Sequence, residues 1–261
     1  MTESTKDNNP KNEPVVSYDG YDYSDFWKGR DYEDQADKIA VSRLFSLVKG
    51  PHHKFIDVGA GKGRMAPLYE NTWDRFVLFD SSRQQLEIAK KDISHPSQAE
   101  FVVGTLEKMP FPDASFNAAL CLRAFHYVID AAVVVKEIGR ILKPEGYLIL
   151  EIPNKLHFKN RLGALLGKNS QNIFSADPIN IATKGNNVFL NHNPKTILKL
   201  LEANNLRVIE MLSVSNFRSG FLKKALPISA LLKLEKLTQK VLAPLWFGPS
   251  SYFLVRKSKL S

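Results

Sequence analysis

The residues best placed to do chemistry lie in Phe55-Ile-Asp-Val-Gly-Ala-Gly-Lys-Gly-Arg64, where Asp57 closes an apolar run and Gly59, Gly61 and Gly63 follow at alternate positions. Glycines so spaced let the backbone turn sharply and approach a ligand with no Cβ in the way. The dinucleotide fingerprint differs, because its third glycine stands three residues after its second, where a pyrophosphate is seated. A phosphate loop is also excluded, since Gly61-Lys62 runs into Gly63 and not into Ser or Thr. The acid at the strand end repels phosphates and suits a ligand carrying an ammonium group. Asp80 closes a second apolar run, Phe76 to Asp80, roughly 20 residues past the glycine turn. Its carboxylate can accept both hydroxyls of a ribose in charge-assisted hydrogen bonds, or it can cap the helix that Ser81 and Ser82 begin. The glycine turn upstream favours ribose.

An adenosine ligand with an ammonium group and no phosphate describes S-adenosylmethionine. The two segments resemble the opening motifs of the class I S-adenosylmethionine-dependent methyltransferases, in the small-molecule branch (methyltransferase type 11) that includes ubiquinone and menaquinone methyltransferases. Thr105-Leu-Glu-Lys-Met-Pro-Phe-Pro-Asp-Ala-Ser-Phe116 is similar to that family's adenine-binding turn and following segment, and Leu142-Lys-Pro-Glu-Gly146 to its next turn. The likeness is specific from Lys54 to Pro153 and topological beyond. It implies S-adenosylmethionine as cofactor, held by Asp57, Gly59, Ala60, Gly61, Gly63, Asp80, Ser81, Thr105, Leu106 and Cys121, with no metal. Thr105 and Asn117 depart from the pattern, which has acids there; a threonine hydroxyl accepts a neutral hydrogen bond worth about 1 kcal/mol or less. Cofactor affinity is what these departures affect.

Cys121-Leu-Arg-Ala-Phe-His-Tyr127 follows the fourth strand, and ligands of parallel α/β sheets bind outside the carboxyl ends of strands. His126 is there either a general base toward an acceptor hydroxyl, since an unperturbed imidazole titrates near neutrality, or a hydrogen-bonded residue opening the next helix. Methyl transfer itself asks mainly for alignment and exclusion of water. In the resemblance, the N-terminal arm folds over the cofactor, and Arg30 and Tyr23 are candidates for its methionine carboxylate; alternatively the arm's aromatics pack on the first helix.

Positioning these residues requires strands at Phe55–Val58, Phe76–Asp80, Glu100–Gly104, Phe116–Leu122 and Tyr147–Ile152, with helices near Arg64, at Asp34–Val48, at Ala131–Leu142 and from Pro194. Arg207–Val214 and Ser251–Arg256 complete the set. The expected fold is α/β: a Rossmann-like three-layer sandwich with a seven-stranded, mostly parallel sheet whose last strand is antiparallel, an N-terminal helical arm and helical lid insertions. Residues 1–14 read as a disordered tail and 15–261 as one domain. Within it, 15–50 form the arm and first helix, 51–153 the cofactor-binding core, 154–193 and 215–248 lids, and 194–214 and 249–261 the final helix and strands.

The chain of 261 residues, 44% hydrophobic, can bury one core. Its one cysteine excludes an internal disulfide framework and fits a reducing, cytoplasmic setting. The net charge of +9 is concentrated late, since residues 154–261 hold 17 basic and 4 acidic side chains. Ile228 to Phe247 reads as a basic amphipathic helix with Lys233, Lys236 and Lys240 on one face, and Lys155 to Lys168 repeats the mixture. Such segments either contact an anionic membrane or roof an acceptor site with lysines in water. Two function classes follow: methyl transfer at O, N or C to a small, hydrophobic acceptor, lipid-like ones among the candidates, or binding of S-adenosylmethionine without turnover. RNA methylation is weaker, because lysines here alternate with leucines and not with stacking aromatics. Oligomeric state and acceptor do not follow from any motif.

Overall fold

Apolar runs too short for helices form strands buried on both faces. In the computed structural model, which describes residues 27–167, 172–184 and 187–259, β1 (Lys54–Val58), β2 (Arg75–Asp80), β3 (Ala99–Val103), β4 (Phe116–Cys121) and β5 (Leu142–Pro153) pair in parallel in the order β3-β2-β1-β4-β5. A separate antiparallel hairpin, β6 (Ile179–Lys184) and β7 (Asn187–Asn191), follows. β8 (Leu206–Val214) lies at the far edge, and β9 (Ser250–Lys257) sits between β5 and β8, antiparallel to both.

Parallel neighbours need crossovers, and helices supply them on both faces. α1 (Asp31–Phe45) precedes β1 and α2 (Arg83–Asp92) joins β2 to β3; Ala36, Ala40, Leu44, Leu86 and Ala89 pack with Phe55, Phe76 and Leu254 on one side. On the other, α3 (Ala131–Ile141), between β4 and β5, buries Val134, Val135, Ile138 and Ile141 against Ile56, Phe79 and Ala119. α3 begins where the Asp130 side chain accepts from Ala132 and Val133 N–H, the short acid satisfying donors of the first turn. α4 (Phe158–Leu165) and α5 (Pro194–Ala203) follow; Asn193 caps α5 and Pro194 stands in its first turn, where a missing N–H costs nothing. α6 (Gly220–Ala225) and α7 (Ile228–Thr238) complete the described helices. The seven-stranded, three-layer expectation holds.

Several local expectations do not. The helix expected near Arg64 is replaced by turns and a 3₁₀ turn at Ala66–Leu68, where Pro67 lacks an N–H and Asn71-Thr72 soon ends the run. The amphipathic segment 228–247 is not one helix: α7 stops at Thr238, whose hydroxyl donates to the Leu234 carbonyl at 2.8 Å, and turns lead past Pro244 to a left-handed Trp246 (φ 50°). α7 also has a core side, with Leu231, Glu235 and Gln239 buried. The β6–β7 hairpin lies inside a stretch read only as a lid. The first helix begins at Asp31, three residues earlier than expected. The proposed tail and Tyr23 lie outside the described residues.

A buried charge cluster ties α1 to the sheet. Asp37 is fully buried; it accepts from Arg123 Nε and Nη2 at 3.1 and 2.8 Å, from Arg64 Nη2 at 3.0 Å and from the Tyr252 hydroxyl at 2.7 Å. Burial alone would raise its carboxyl, but the two guanidinium groups outweigh it and hold Asp37 below the usual carboxylate range. Removing the carboxylate leaves Arg64 with Asp34 and Arg123 with only the more distant Glu151, so both guanidinium groups lose their shared, fully buried counter-charge. Asp37→Ala is expected to lower stability by about 3–5 kcal/mol and Tyr252→Phe by about 1 kcal/mol, both read from urea unfolding. A loss under about 1 kcal/mol for Asp37→Ala would show that apolar contacts alone seat α1.

Candidate active site at the carboxyl rim of the sheet

The turn after β1 is held by β2. Gly59 and Ala60 N–H both donate to the Phe79 carbonyl, at 2.8 and 3.1 Å, and Gly61 N–H donates to Asp80 Oδ2 at 2.7 Å. Gly59, Gly61 and Gly63 all have left-handed φ values (74°, 53° and 76°), the conformation that favours glycine. Their surroundings differ. A Cβ on Gly59 would stand 2.6 Å from Ala124 Cβ, whereas one on Gly61 would meet nothing within 4 Å. Gly59 is thus demanded by packing, and Gly61 leaves open space beside Asp80.

Asp80 is nearly buried, and its other oxygen, Oδ1, accepts from Ser82 N–H at 2.8 Å. Ser82, not Asp80, caps α2, through a 3.3 Å bond from Gln85 N–H, so the capping alternative for Asp80 falls away. Burial raises the Asp80 carboxyl and the backbone N–H groups of Ser82, Gly61 and Ser81 partly restore it. With about four acceptor positions on a carboxylate and three of them met by these N–H groups, capacity remains for a further donor. Gly104 N–H donates to the Asp80 carbonyl at 3.1 Å, which brings exposed Thr105 and half-buried Leu106 beside this acid. Asp57 lies deeper: Tyr69 OH donates to its Oδ2 at 3.0 Å, and burial, with Asp80 adding, pushes its carboxyl up to about 7.

The end of β4 forms the other half of the rim. Cys121 is fully buried in the core and burial raises its thiol, so its side chain is turned away from the open rim. Arg123 has φ 58°; its N–H donates to Glu151 Oε2 at 3.0 Å while its guanidinium reaches Asp37. His126 lies in a 3₁₀ turn, Phe125–Tyr127, with Nδ1 buried and without a hydrogen-bond partner. Burial, Arg123, His192 and Arg218 push its imidazole down to about 3. The near-neutral pKa expected of His126 is therefore corrected: its ring is neutral but a weak base. His192 Nε2 bonds the Phe125 carbonyl at 2.8 Å and Phe189 packs on Tyr127 at 5.2 Å, so the hairpin end braces this turn. Arg30 directly precedes α1 and is exposed.

Sequence reasoning missed Asp37, Arg64, Arg123, Glu151 and Arg218. Glu151 was visible as an acid inside Tyr147-Leu-Ile-Leu-Glu-Ile152, and Asp37 as an acid among the apolar positions of α1. Arg218 carries no local signal.

Residues 56–150 match the family described as methyltransferase domain. The chain is 31% identical over 100 residues to the uncharacterized methyltransferase YcgJ of Bacillus subtilis, covering 38% of this chain and 40% of that one. It is 34% identical over 114 residues to a demethylmenaquinone methyltransferase of Thermotoga maritima, covering 42% and 48%. The chain spans about half the length of these curated relatives. An S-adenosylmethionine-dependent methyltransferase from Mesorhizobium loti superposes with TM-score 0.58 at 16% identity over 85% of this chain and 99% of that one, and the [4+2]-cyclase SpnF with 0.54 at 16% over 85% and 82%. Residues 56–150 are thus similar to a methyltransferase domain, within a fold shared with S-adenosylmethionine-dependent methyltransferases. The cofactor this domain type and fold imply is S-adenosylmethionine. The site fits it: open space before Gly61 adjoins a carboxylate with acceptor capacity for ribose, and Asp57 supplies a second acid.

Asp57 also makes a prediction about the free protein. Its folded pKa, about 7, lies above the ordinary 3.8, so its contribution is present below pH 4 and is lost as pH rises toward 8. Asp57→Asn keeps an acceptor for Tyr69 and removes that loss. The variant should be more stable than wild type at pH 8, by roughly 1–4 kcal/mol, with no advantage at pH 4. Parallel urea curves at both pH values, giving the same difference at each, would contradict it.

Proposed function

We propose that the protein transfers the methyl group of S-adenosylmethionine to a small acceptor with an apolar body. The observation that carries this is the cradle formed by Gly61 and Asp80, open space before the glycine beside a carboxylate with acceptor capacity left. In this reading Asp80 takes a ribose hydroxyl, Thr105 and Leu106 border the adenine, and Asp57, Ala60 and Ser81 shape the pocket. Arg30 stands toward the methionine carboxylate. When bound, the cofactor supplies an activated methyl group; the chain's own part is to align the acceptor and exclude water. His126 serves by its shape and as a neutral hydrogen-bond partner, since a base of pKa about 3 has little driving force at pH 7. The quinone methylation of one relative supports an apolar acceptor.

Binding without turnover is the second reading, favoured by Thr105 in place of an acid and by the cyclase that shares the fold. Calorimetry separates the readings. S-adenosylmethionine should bind the wild type, and Asp80→Ala should weaken it by tenfold or more, a charge-assisted hydrogen bond being lost. No binding would sink both readings; binding with no methylated product across a panel of phenols, quinols and amines would favour the second.

The lid face supports contact with an anionic membrane. Leu165, Phe221, Leu237 and Val241 are 83%, 77%, 73% and 71% exposed, with Lys159, Lys224, Lys233 and Lys236 exposed among them. α4 and the turn after α7 are neighbours, through stacked Phe158 and Phe247 and an Arg161 bond to the Leu245 carbonyl. Among the described residues no helix is long and apolar enough to cross a membrane, so such contact is interfacial. Flotation with phosphatidylserine vesicles should show association at low salt that high salt reduces. Leu237→Glu with Val241→Glu should abolish it; equal flotation of that variant would remove the membrane from the proposal.

A further inference from the structure

The turn that carries His126 is packed directly onto the glycine turn. Ala124 is the residue that leaves Gly59 no room for a Cβ, which would stand 2.6 Å from its own. The Ala124 carbonyl also accepts from Tyr127 N–H at 3.1 Å and so closes the 3₁₀ turn Phe125–Tyr127. His126 thus rides on backbone that rests against the border of the cofactor site. The opposite side is fixed as well. His192 Nε2 lies 2.8 Å from the Phe125 carbonyl, and because a carbonyl only accepts, that nitrogen of His192 carries its proton. Phe189 holds the neighbouring Tyr127 ring at 5.2 Å.

The two nitrogens of His126 meet different surroundings. Nδ1 is buried and has no hydrogen-bond partner among the described residues. Nε2 is not among the buried atoms, so in this half-buried ring it is the nitrogen left toward the open rim. A neutral imidazole has one proton to place. On Nδ1 it would be a buried donor with no acceptor, the rarer and costlier kind of orphan; on Nε2 it leaves only a bare lone pair inside and turns the N–H toward the rim. A histidine that removes protons needs the reverse arrangement, with Nε2 bare and Nδ1–H held by a carbonyl or a carboxylate. No such acceptor meets Nδ1 among the described residues, and the adjacent Phe125 carbonyl serves His192 instead. Burial and the charges of Arg123, His192 and Arg218, against Asp37 of α1, keep a second proton off the ring.

We propose that His126, in its Nε2–H tautomer, donates a hydrogen bond to the methyl acceptor, so that the acceptor brings a carbonyl or enolate oxygen conjugated with its apolar body. The acceptor part rests on the methyl-transfer reading, whereas the tautomer stands on the ring's own surroundings. A hydroxyl that must give its proton to a protein base is the class this arrangement disfavours. The methionine carboxylate of the cofactor is the competing oxygen lone pair, and the test separates the two.

The test uses the full chain with nitrogen-labelled histidine, free and saturated with S-adenosylhomocysteine, the His126 signals being assigned by their loss in His126→Gln. Proton–nitrogen correlation spectra should show His126 with its proton on Nε2 and Nδ1 bare, unchanged from pH 5 to pH 8. Acetophenone, an aryl ketone, should shift the Nε2–H signal. His126→Phe should weaken acetophenone by about threefold to tenfold, the range for one neutral hydrogen bond, while leaving its hydrocarbon counterpart ethylbenzene within twofold. His126→Gln, whose amide places a donor near the Nε2 position, should recover part of the ketone affinity, and S-adenosylhomocysteine should change less than twofold in both variants. A proton on Nδ1 overturns the proposal, as does acetophenone that leaves the His126 signals unmoved or is weakened by His126→Phe no more than ethylbenzene. Equal weakening of S-adenosylhomocysteine also overturns it, since that would give the N–H to the cofactor. A wild type that binds no S-adenosylhomocysteine would instead sink the methyl-transfer reading. The tautomer and the ketone titration of the free protein would then decide the His126 donor alone.

Discussion

Asp37 is the point on which the rest of the rim depends. A carboxylate with no exposure to water sits between Arg64, which follows the glycine turn, Arg123, which follows β4, and Tyr252 of β9. It therefore joins the first helix to both halves of the ligand rim and to the last strand of the sheet. Arg64 is further fixed by Asp34 at 2.7 Å and by the Trp27 ring, 3.9 Å from its guanidinium carbon. A buried ion pair is weak evidence of net stability, because desolvation offsets much of the attraction. Its stronger effect here is on register: with Arg123 at φ 58° and its side chain turned inward, the chain after β4 leaves the sheet in one direction only.

Bracing of that kind recurs in the segments that follow β5 and β8. Glu235 and Tyr32, joined by a 2.6 Å bond, hold the 215–217 turn, and buried Lys155 holds the preceding lid through Ser175 and the Asp177 carbonyl. Burial lowers the Lys155 ammonium, consistent with a group kept for its hydrogen bonds and not for exposed charge. Asn154 does the same for the 246–248 turn, donating to Trp246 and Gly248 carbonyls at 3.0 and 2.7 Å. The lids are thus pinned at their roots by polar groups and left apolar at their outer faces. Their shape is set from within.

The core was legible because its information is local. An apolar run closing on Asp57 or Asp80 names a strand and its end, and alternate glycines name the turn between them; β5, β8 and β9 were found by the same pattern. What was not legible depends on residues far apart in the chain. Arg123 meets Asp37 and Glu151 only through the fold, and the tightness around Gly59 comes from Ala124, whose approach no glycine spacing reveals. The helix expected at Arg64 failed because Pro67 and the inward pull of Asp34 and Asp37 both act against it, and only the proline is visible locally. For His126 the residue type was right and its basicity was not, because burial and neighbouring cations decide that and neither is written in Phe125-His-Tyr127.

The place of β9 between β5 and β8 has a consequence for how the chain assembles during synthesis. The strands from β1 to β5 and their crossovers emerge in order and can pair as they appear, but β8 has no sheet edge to join until β9, made after it, has laid itself along β5. Tyr252 is also the last ligand of Asp37 to arrive. An emerging chain thus acquires the glycine turn and the Asp80 side early, whereas the Arg218 segment, which leaves directly from β8, is fixed only at the end. The Asp80 side of the rim can thus form before the segment that follows β8 is fixed.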